Sequence, residues 1–446
     1  MSARELAGAV LGIGDLPDDV MSAARLHFLD ACGVALAAAA TGPVAGVTGL
    51  ADGSGPCTVF GAAATAPAPV AALANGTLTH SLEYDDTHTA SVMHGSAVIA
   101  PVALAAAQET GADGRQMLRA YALGWEVLVR LGLAAPGEIQ DRGFQGTSAA
   151  GPFAAAVTAG VLHGVDADRL GHAVGIAGSM AGGTFAFLRD GATVKAAQPA
   201  IAAQAGLTAL RLAESGVTGP GDVFDGPAGF FPLFAGRTDG GARLRALLAT
   251  LGTRWYLPEA AFKGHPCCHF IHPFIEALDG MPADIADVHC HVPDGQWPVI
   301  AEPWDAKRRP AKANDARWSL PYTLAARIVD GAVEARHYQG ATRPDLVAMA
   351  EHITAERWTG SGYPDVFPAR LTVRTRTGAV HEAKVDDVRG SVRRPFTPEE
   401  VVAKFRRNAA LAGLPESAAA AVATELIDRP VPDLDVFRTA LEGGRR

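Results

Sequence analysis

Residues able to do acid–base or carboxylate chemistry fall into three short segments. The densest is Glu83-Tyr84-Asp85-Asp86-Thr87-His88, followed by His94-Gly95-Ser96. Capping of a neighbouring helix accounts for Ser96 or for one aspartate. It leaves a second aspartate and two histidines unexplained, and such a concentration of titratable groups points to a site. The second segment places Lys195 just ahead of a long apolar run. A lysine there gains nothing from the helix dipole, so a grip on a carboxylate competes with a plain solvated side chain. The third segment, residues 262–272, contains Lys263, His265, Cys267, Cys268, His269 and His272. Two chemistries suit it. The cysteines and histidines could hold zinc, with His289 and His291 as a second ligand pair. Alternatively, Lys263 and one or more of the histidines belong to an organic active site, histidine being the usual proton carrier near neutral pH.

These segments need elements to hold them. Apolar periodicity and Gly/Pro punctuation predict a helix opening at Asp15, Pro17, Asp18 and Asp19, then helices over 69–83, 95–108, 113–133, 148–162, 166–180, 194–214 and 242–251. The acidic cluster thus lies between two apolar helices, where free backbone N–H groups suit a carboxylate. After Leu257 the pattern changes. Residues 286–292 alternate as a strand, and 370–385 read as a hairpin about Thr377-Gly378. Helices are expected over 320–329 and 344–352, and again over 398–411 and 416–427. The fold class predicted is mainly α: a large all-helical domain from residues 1–257 and 396–446, and a smaller α+β domain from 258–395.

Bulk properties narrow the function classes. At 446 residues, 48% hydrophobic and 19% charged, the chain is ordinary and globular. A net charge of −9 argues against nucleic acid as a partner. Five cysteines, two of them adjacent, make no disulfide framework and suit a reducing compartment. The N-terminus lacks the basic-then-apolar pattern of a signal peptide, so a cytoplasmic location is expected. Residues 31–51 carry no charge and are long enough to span a bilayer, but Ala and Gly dominate, Pro43 interrupts, and Asp30 and Asp52 flank them. A buried helix followed by a turn is expected, and no membrane contact. Nucleotide-binding glycine motifs and the GxSxG elbow have no counterpart.

Taken in order, the segments resemble the MmgE/PrpD family, which holds 2-methylcitrate dehydratases, cis-aconitate decarboxylases and iminodisuccinate epimerases. The resemblance runs through Asn75-Gly76, His80, residues 83–88 and His94-Gly95-Ser96. It continues through Gly124-Trp125-Glu126-Val127 with Arg130, Asp190-Gly191 with Lys195, and residues 216–220. Further on it takes in Lys263, Pro266-Cys267-Cys268, His272, Ser319-Leu320-Pro321-Tyr322, Asp330-Gly331 and Lys404-Phe405. It implies a helical domain, a smaller α+β lid, a homodimer and no metal or organic cofactor, with the site between the domains. By motif match, Asp85, Thr87, His94, Lys195, Lys263 and Tyr322 line up with the decarboxylase pocket. Three positions depart from the family, with Gln145, Gln198 and Cys268 standing where it commonly has histidine. Glutamine bonds but carries no proton, which favours a divergent substrate or a reaction with fewer proton carriers.

The chemistry implied is proton transfer beside a carboxylate of a small-molecule substrate. Lys195 and Lys263 are expected to hold carboxylates, His94 to act as general acid/base oriented by Asp85 or Asp86, and Tyr322 to donate a hydrogen bond or a proton. Asp86, Thr87, His88, Gln145, Cys268, His269 and His272 are expected to line the substrate. A lyase removing water or carbon dioxide is the leading reading. An isomerase or epimerase is the alternative, and a non-catalytic carboxylate binder a third.

Overall fold

Alanine and glycine set how closely the helices of the N-terminal half approach. In a computed structural model, which describes residues 1–189 and 191–443, the main helices are Asp18–Thr41, Ala68–Ser81, Gly95–Thr110, Gly114–Ala134, Gly146–His163 and Val194–Glu214. Asp190, part of the central lysine motif, lies outside the described residues. A Cβ on Gly76 would stand 2.8 Å from the Ala97 carbonyl oxygen and 2.9 Å from the Ala200 Cβ. One on Gly206 would stand 2.3 Å from the Ala155 Cβ. Backbones therefore touch where side chains would otherwise separate them, and every residue of 95–107 is buried. The ends follow capping rules: Asp113 and Gln116 form a capping box on Gly114–Ala134, and Gly111 closes Gly95–Thr110 in the left-handed region at φ 71°.

The tail joins this first core. Helix Pro398–Leu411 opens with a Thr397/Glu400 capping box and packs on Asp18–Thr41. The buried Lys404 ammonium lies 2.8 Å from Asp30 Oδ1 and donates to the Tyr84 carbonyl at 2.9 Å. Asp18–Thr41 is the one described helix long and apolar enough to cross a membrane, and 72% of its most apolar window is buried inside the protein.

A second core gathers around a four-stranded mixed sheet in the order β2-β1-β3-β4, with β1 Ile285–Pro293, β2 Ile353–Trp358, β3 Ala369–Thr375 and β4 Val380–Val385. β1 runs parallel to β2 and antiparallel to β3, and β3–β4 is the hairpin expected at Thr377-Gly378, where Gly378 takes φ 88°. Val288, Cys290 and Val292 point inward into the same core as Leu320 and Leu324 of helix Leu320–Asp330. His289 and His291 therefore face the other way. Strand β2 and helices Ala3–Leu11 and Asp435–Gly443 are additions to the sequence reading.

Candidate active site

Four helix ends and two loops converge. His80 sits in the last turn of Ala68–Ser81, His94 immediately precedes Gly95–Thr110, Gln145 precedes Gly146–His163, and Lys195 lies in the first turn of Val194–Glu214. Residues 82–87 bridge the first two helices, and Lys263 comes from the loop after the Leu257–Glu259 turn. The approach depends on Gly95, where a Cβ would strike the Trp125 indole at 2.1 Å. Glu83 is held at φ 53°, a conformation rare for a residue with a side chain and found where a site demands it.

Asp85 is the hub and is fully buried. Its Oδ2 lies 2.8 Å from His80 Nδ1 and 3.2 Å from His94 Nδ1, while Oδ1 is 3.9 Å from the Lys263 ammonium. Burial alone would raise the Asp85 carboxyl; His80, His94 and Lys263 outweigh it and hold the group well below the usual carboxylate range. On the far side of the His80 ring, Nε2 meets Lys195 Nζ at 3.1 Å and the Gln145 amide nitrogen at 3.2 Å. An ammonium only donates, so Nε2 accepts and Nδ1–H donates to Asp85. The ring is thus neutral, and burial first and Lys195 second bring its pKa to about 3.

Glu83 joins the two lysines. Its carboxylate is in direct contact with the Lys195 ammonium and 3.8 Å from that of Lys263. Burial, then the Lys263 charge, push the Lys195 ammonium well below its ordinary range, and the Glu83 contact pulls the other way. The site therefore already holds one carboxylate between two lysines. Thr87 Oγ1 stands 3.3 Å from His94 Nδ1, and the His94 N–H donates to Thr147 Oγ1 at 3.0 Å. With Nδ1 engaged, His94 presents Nε2, and at 18% its side chain is the most exposed of the Asp85 group.

Other expected residues are placed differently. Asp86 turns away to His27 Nδ1 at 2.8 Å and to the Ser96 N–H and hydroxyl, anchoring the start of Gly95–Thr110. His88 closes its own loop on Ser91 at 2.8 Å, and burial takes its pKa to about 4. The Tyr322 hydroxyl accepts from the Arg343 N–H at 3.1 Å inside the second core, with Asp330 and Asp345 as its other charged neighbours, so the structure does not bring it to Asp85. Cys268 is buried with its N–H on the Arg317 carbonyl, and burial raises its thiol. His272 Nε2 donates to the Cys267 carbonyl at 3.2 Å. His269 is buried with neither ring nitrogen bonded, and burial, then Lys263 and His94, keep it neutral. Gln198 donates to the Thr184 carbonyl at 2.8 Å. All five cysteines are free and buried, and His289 and His291 meet Glu356 rather than the cysteine pair, so the four-ligand zinc arrangement is not formed.

His80 and Glu83 are what sequence reasoning underweighted. His80 was visible only as one position of the family resemblance, with no role assigned, and Glu83 only as one more acid in the cluster. The donor atoms of His80, Asp85 and His94 lie within 4.8 Å of one another, as a metal site would require. Lys263 stands 3.9 Å from Asp85 and Lys195 3.1 Å from the His80 ring, and a site with two ammonium groups suits an anionic substrate better than a cation. A cavity of about 1100 Å³ is lined by Tyr84, Pro266, His272, Arg327 and Arg407, with none of Asp85, His94, Lys195 or Lys263 on its wall.

Comparisons with known proteins match two family models along the chain. Residues 7–241 match the MmgE/PrpD N-terminal domain and residues 265–427 the MmgE/PrpD C-terminal domain. A cis-aconitate decarboxylase-like protein of Aspergillus oryzae is 29% identical over 423 residues, covering 88% of this chain and 87% of its own. The cis-aconitate decarboxylase of Aspergillus terreus is 24% identical over 89% of this chain and 86% of its own. The human cis-aconitate decarboxylase is 27% identical over 77% and 73%.

Proposed function

This chain belongs to the MmgE/PrpD family, and from that premise we propose that it is a cofactor-independent lyase acting on a small polycarboxylate, by decarboxylation in preference to dehydration. The observation that carries the reading is the carboxylate of Glu83 lying between Lys195 and Lys263, beside a histidine oriented by a buried, ionised aspartate. The two lysines hold substrate carboxylates in competition with Glu83. One C–C bond to a carboxylate breaks, carbon dioxide leaves, and the electron pair stays on carbon, stabilised by the fixed cations. His94 delivers a proton from Nε2 to that carbon and is reprotonated from solvent, while Asp85 holds its other nitrogen. Thr87 positions the same ring. His80, neutral and buried, shapes the Asp85 carboxylate and receives Lys195.

Gln145 supports a second reading. It stands against His80 where the family commonly has an imidazole, and a site short of one proton carrier suits epimerisation, which needs only removal and return of a proton. Incubation with citrate, 2-methylcitrate, cis-aconitate and amino-dicarboxylates in deuterated water, followed by proton NMR, separates the two. New vinyl signals with carbon dioxide release support the decarboxylase. Deuterium entering an unchanged skeleton supports the epimerase. Binding without turnover across the panel would leave a carboxylate-binding protein.

A further inference from the structure

The outward face of the sheet carries a second cluster of ligating side chains that this reaction does not use. The alternation of β1 sends Val288, Cys290 and Val292 into the core and leaves His289 and His291 side by side outside, their ring centres 5.2 Å apart. In the parallel register with β2, Thr354 is the partner of His289 and Glu356 the partner of His291. The three ligand atoms offered by His289, His291 and Glu356 lie within 4.8 Å of one another.

The hydrogen bonds settle which atoms are free. The Thr354 hydroxyl donates to the Val288 carbonyl at 3.4 Å, so it accepts from His289 Nδ1 at 2.9 Å. That bond leaves the lone pair on His289 Nε2, the atom 3.7 Å from Glu356 Oε2. Such a partner on the remote nitrogen is what orients a ligating imidazole. His291 Nδ1 is 2.9 Å from Glu356 Oε1, and the proton shared there is the one an ion would displace. We propose that His289, His291 and Glu356 form a binding site for a divalent transition-metal ion of the zinc or copper type, separate from the catalytic cluster. Two imidazoles and one carboxylate select such ions over magnesium or calcium, and three protein ligands leave a position for water. Arg370, exposed and opposite His291 on β3, places a positive charge on the same face and disfavours weakly held cations. The ion ties the edge strand β2 to the inner strand β1.

The test is a zinc titration of the untagged full chain against a chromophoric chelator. One zinc per chain is expected. His289→Ala and His291→Ala should each weaken binding about tenfold or more, since loss even of a residue supporting a ligand costs that much. Glu356→Gln should weaken it as well, and His94→Ala should leave it unchanged. Zinc should also raise the melting temperature of the wild type and not that of the His289→Ala/His291→Ala double variant, which shows whether the variant is folded. Absence of zinc binding, binding that survives in the folded double variant, or binding lost in His94→Ala would overturn the proposal.

Discussion

Asp85 engages two histidines with one oxygen, and the two rings do different work. His80 is sealed in and neutral, whereas His94 keeps one nitrogen open. Replacing His94 with alanine removes the proton carrier and should lower kcat by about 10²-fold or more, with KM little changed. A variant turning over at the wild-type rate would take His94 out of the mechanism. Lys263 is the ammonium that faces both Glu83 and Asp85, so Lys263→Ala should raise KM and lower kcat together. Kinetics unaffected by that change would remove it as the carboxylate grip. Asp85, His94, Lys195 and Lys263 could be picked out of the sequence because density of titratable groups and a misplaced lysine are local signals. The partnership of Lys195 with His80 and Glu83 could not, since it joins positions more than a hundred residues apart. Asp86 and His88 show the limit of density as a guide. Neighbours in sequence, they turn to different partners because the loop bends between them.

Helices decide where those residues stand, and the tail helix Pro398–Leu411 is part of the framework. Its Lys404 is buried against Asp30 and also binds the carbonyl of Tyr84, the residue between Glu83 and Asp85. Lys404→Met leaves Asp30 without its cation and should cost about 3–5 kcal/mol, read as a lower urea midpoint. Pairing it with Asp30→Asn should recover part of that loss, and a double variant destabilised by the sum of the two single losses would show that the pair is not coupled. Elements with a strong local pattern were legible: the tail helix over 398–411, the hairpin at Thr377-Gly378 and the Ala-rich helices all carry their own signals. Strand β2 does not. Thr354-Ala355-Glu356-Arg357 puts polar residues on both sides with one half-buried alanine, and its place in the sheet comes from parallel pairing with β1, some sixty residues earlier. Helix Ala3–Leu11 is short, and its Ser2/Glu5 capping box is the cue that would have found it.

For the molecule as a whole, buried neutral histidines make acid the natural stress. His80 titrates in the folded chain only at about 3, and His88 only at about 4. In the unfolded chain both take up protons as pH falls through about 6.5. Between these values the unfolded state binds more protons, so stability drops as pH drops. Well inside that window each histidine contributes a slope of about 1.4 kcal/mol per pH unit. Asp85 acts in the same direction at lower pH: its depressed folded pKa gives stability that is present above the ordinary carboxylate range and lost as pH falls through the folded value. The onset therefore separates the two causes. Loss beginning near pH 6 belongs to the histidines, and loss confined below pH 4 to carboxylates. Urea midpoints measured from pH 7.5 to 4.5 should fall from about pH 6 downward. His88→Asn should reduce the slope by about one proton's worth, because His88 bonds within its own loop and lies outside the catalytic cluster. A midpoint that stays level to pH 5 would mean that these imidazoles are reached by protons in the folded state. Their burial, at 1% and 3% exposure, would then have to be less complete than the structure shows.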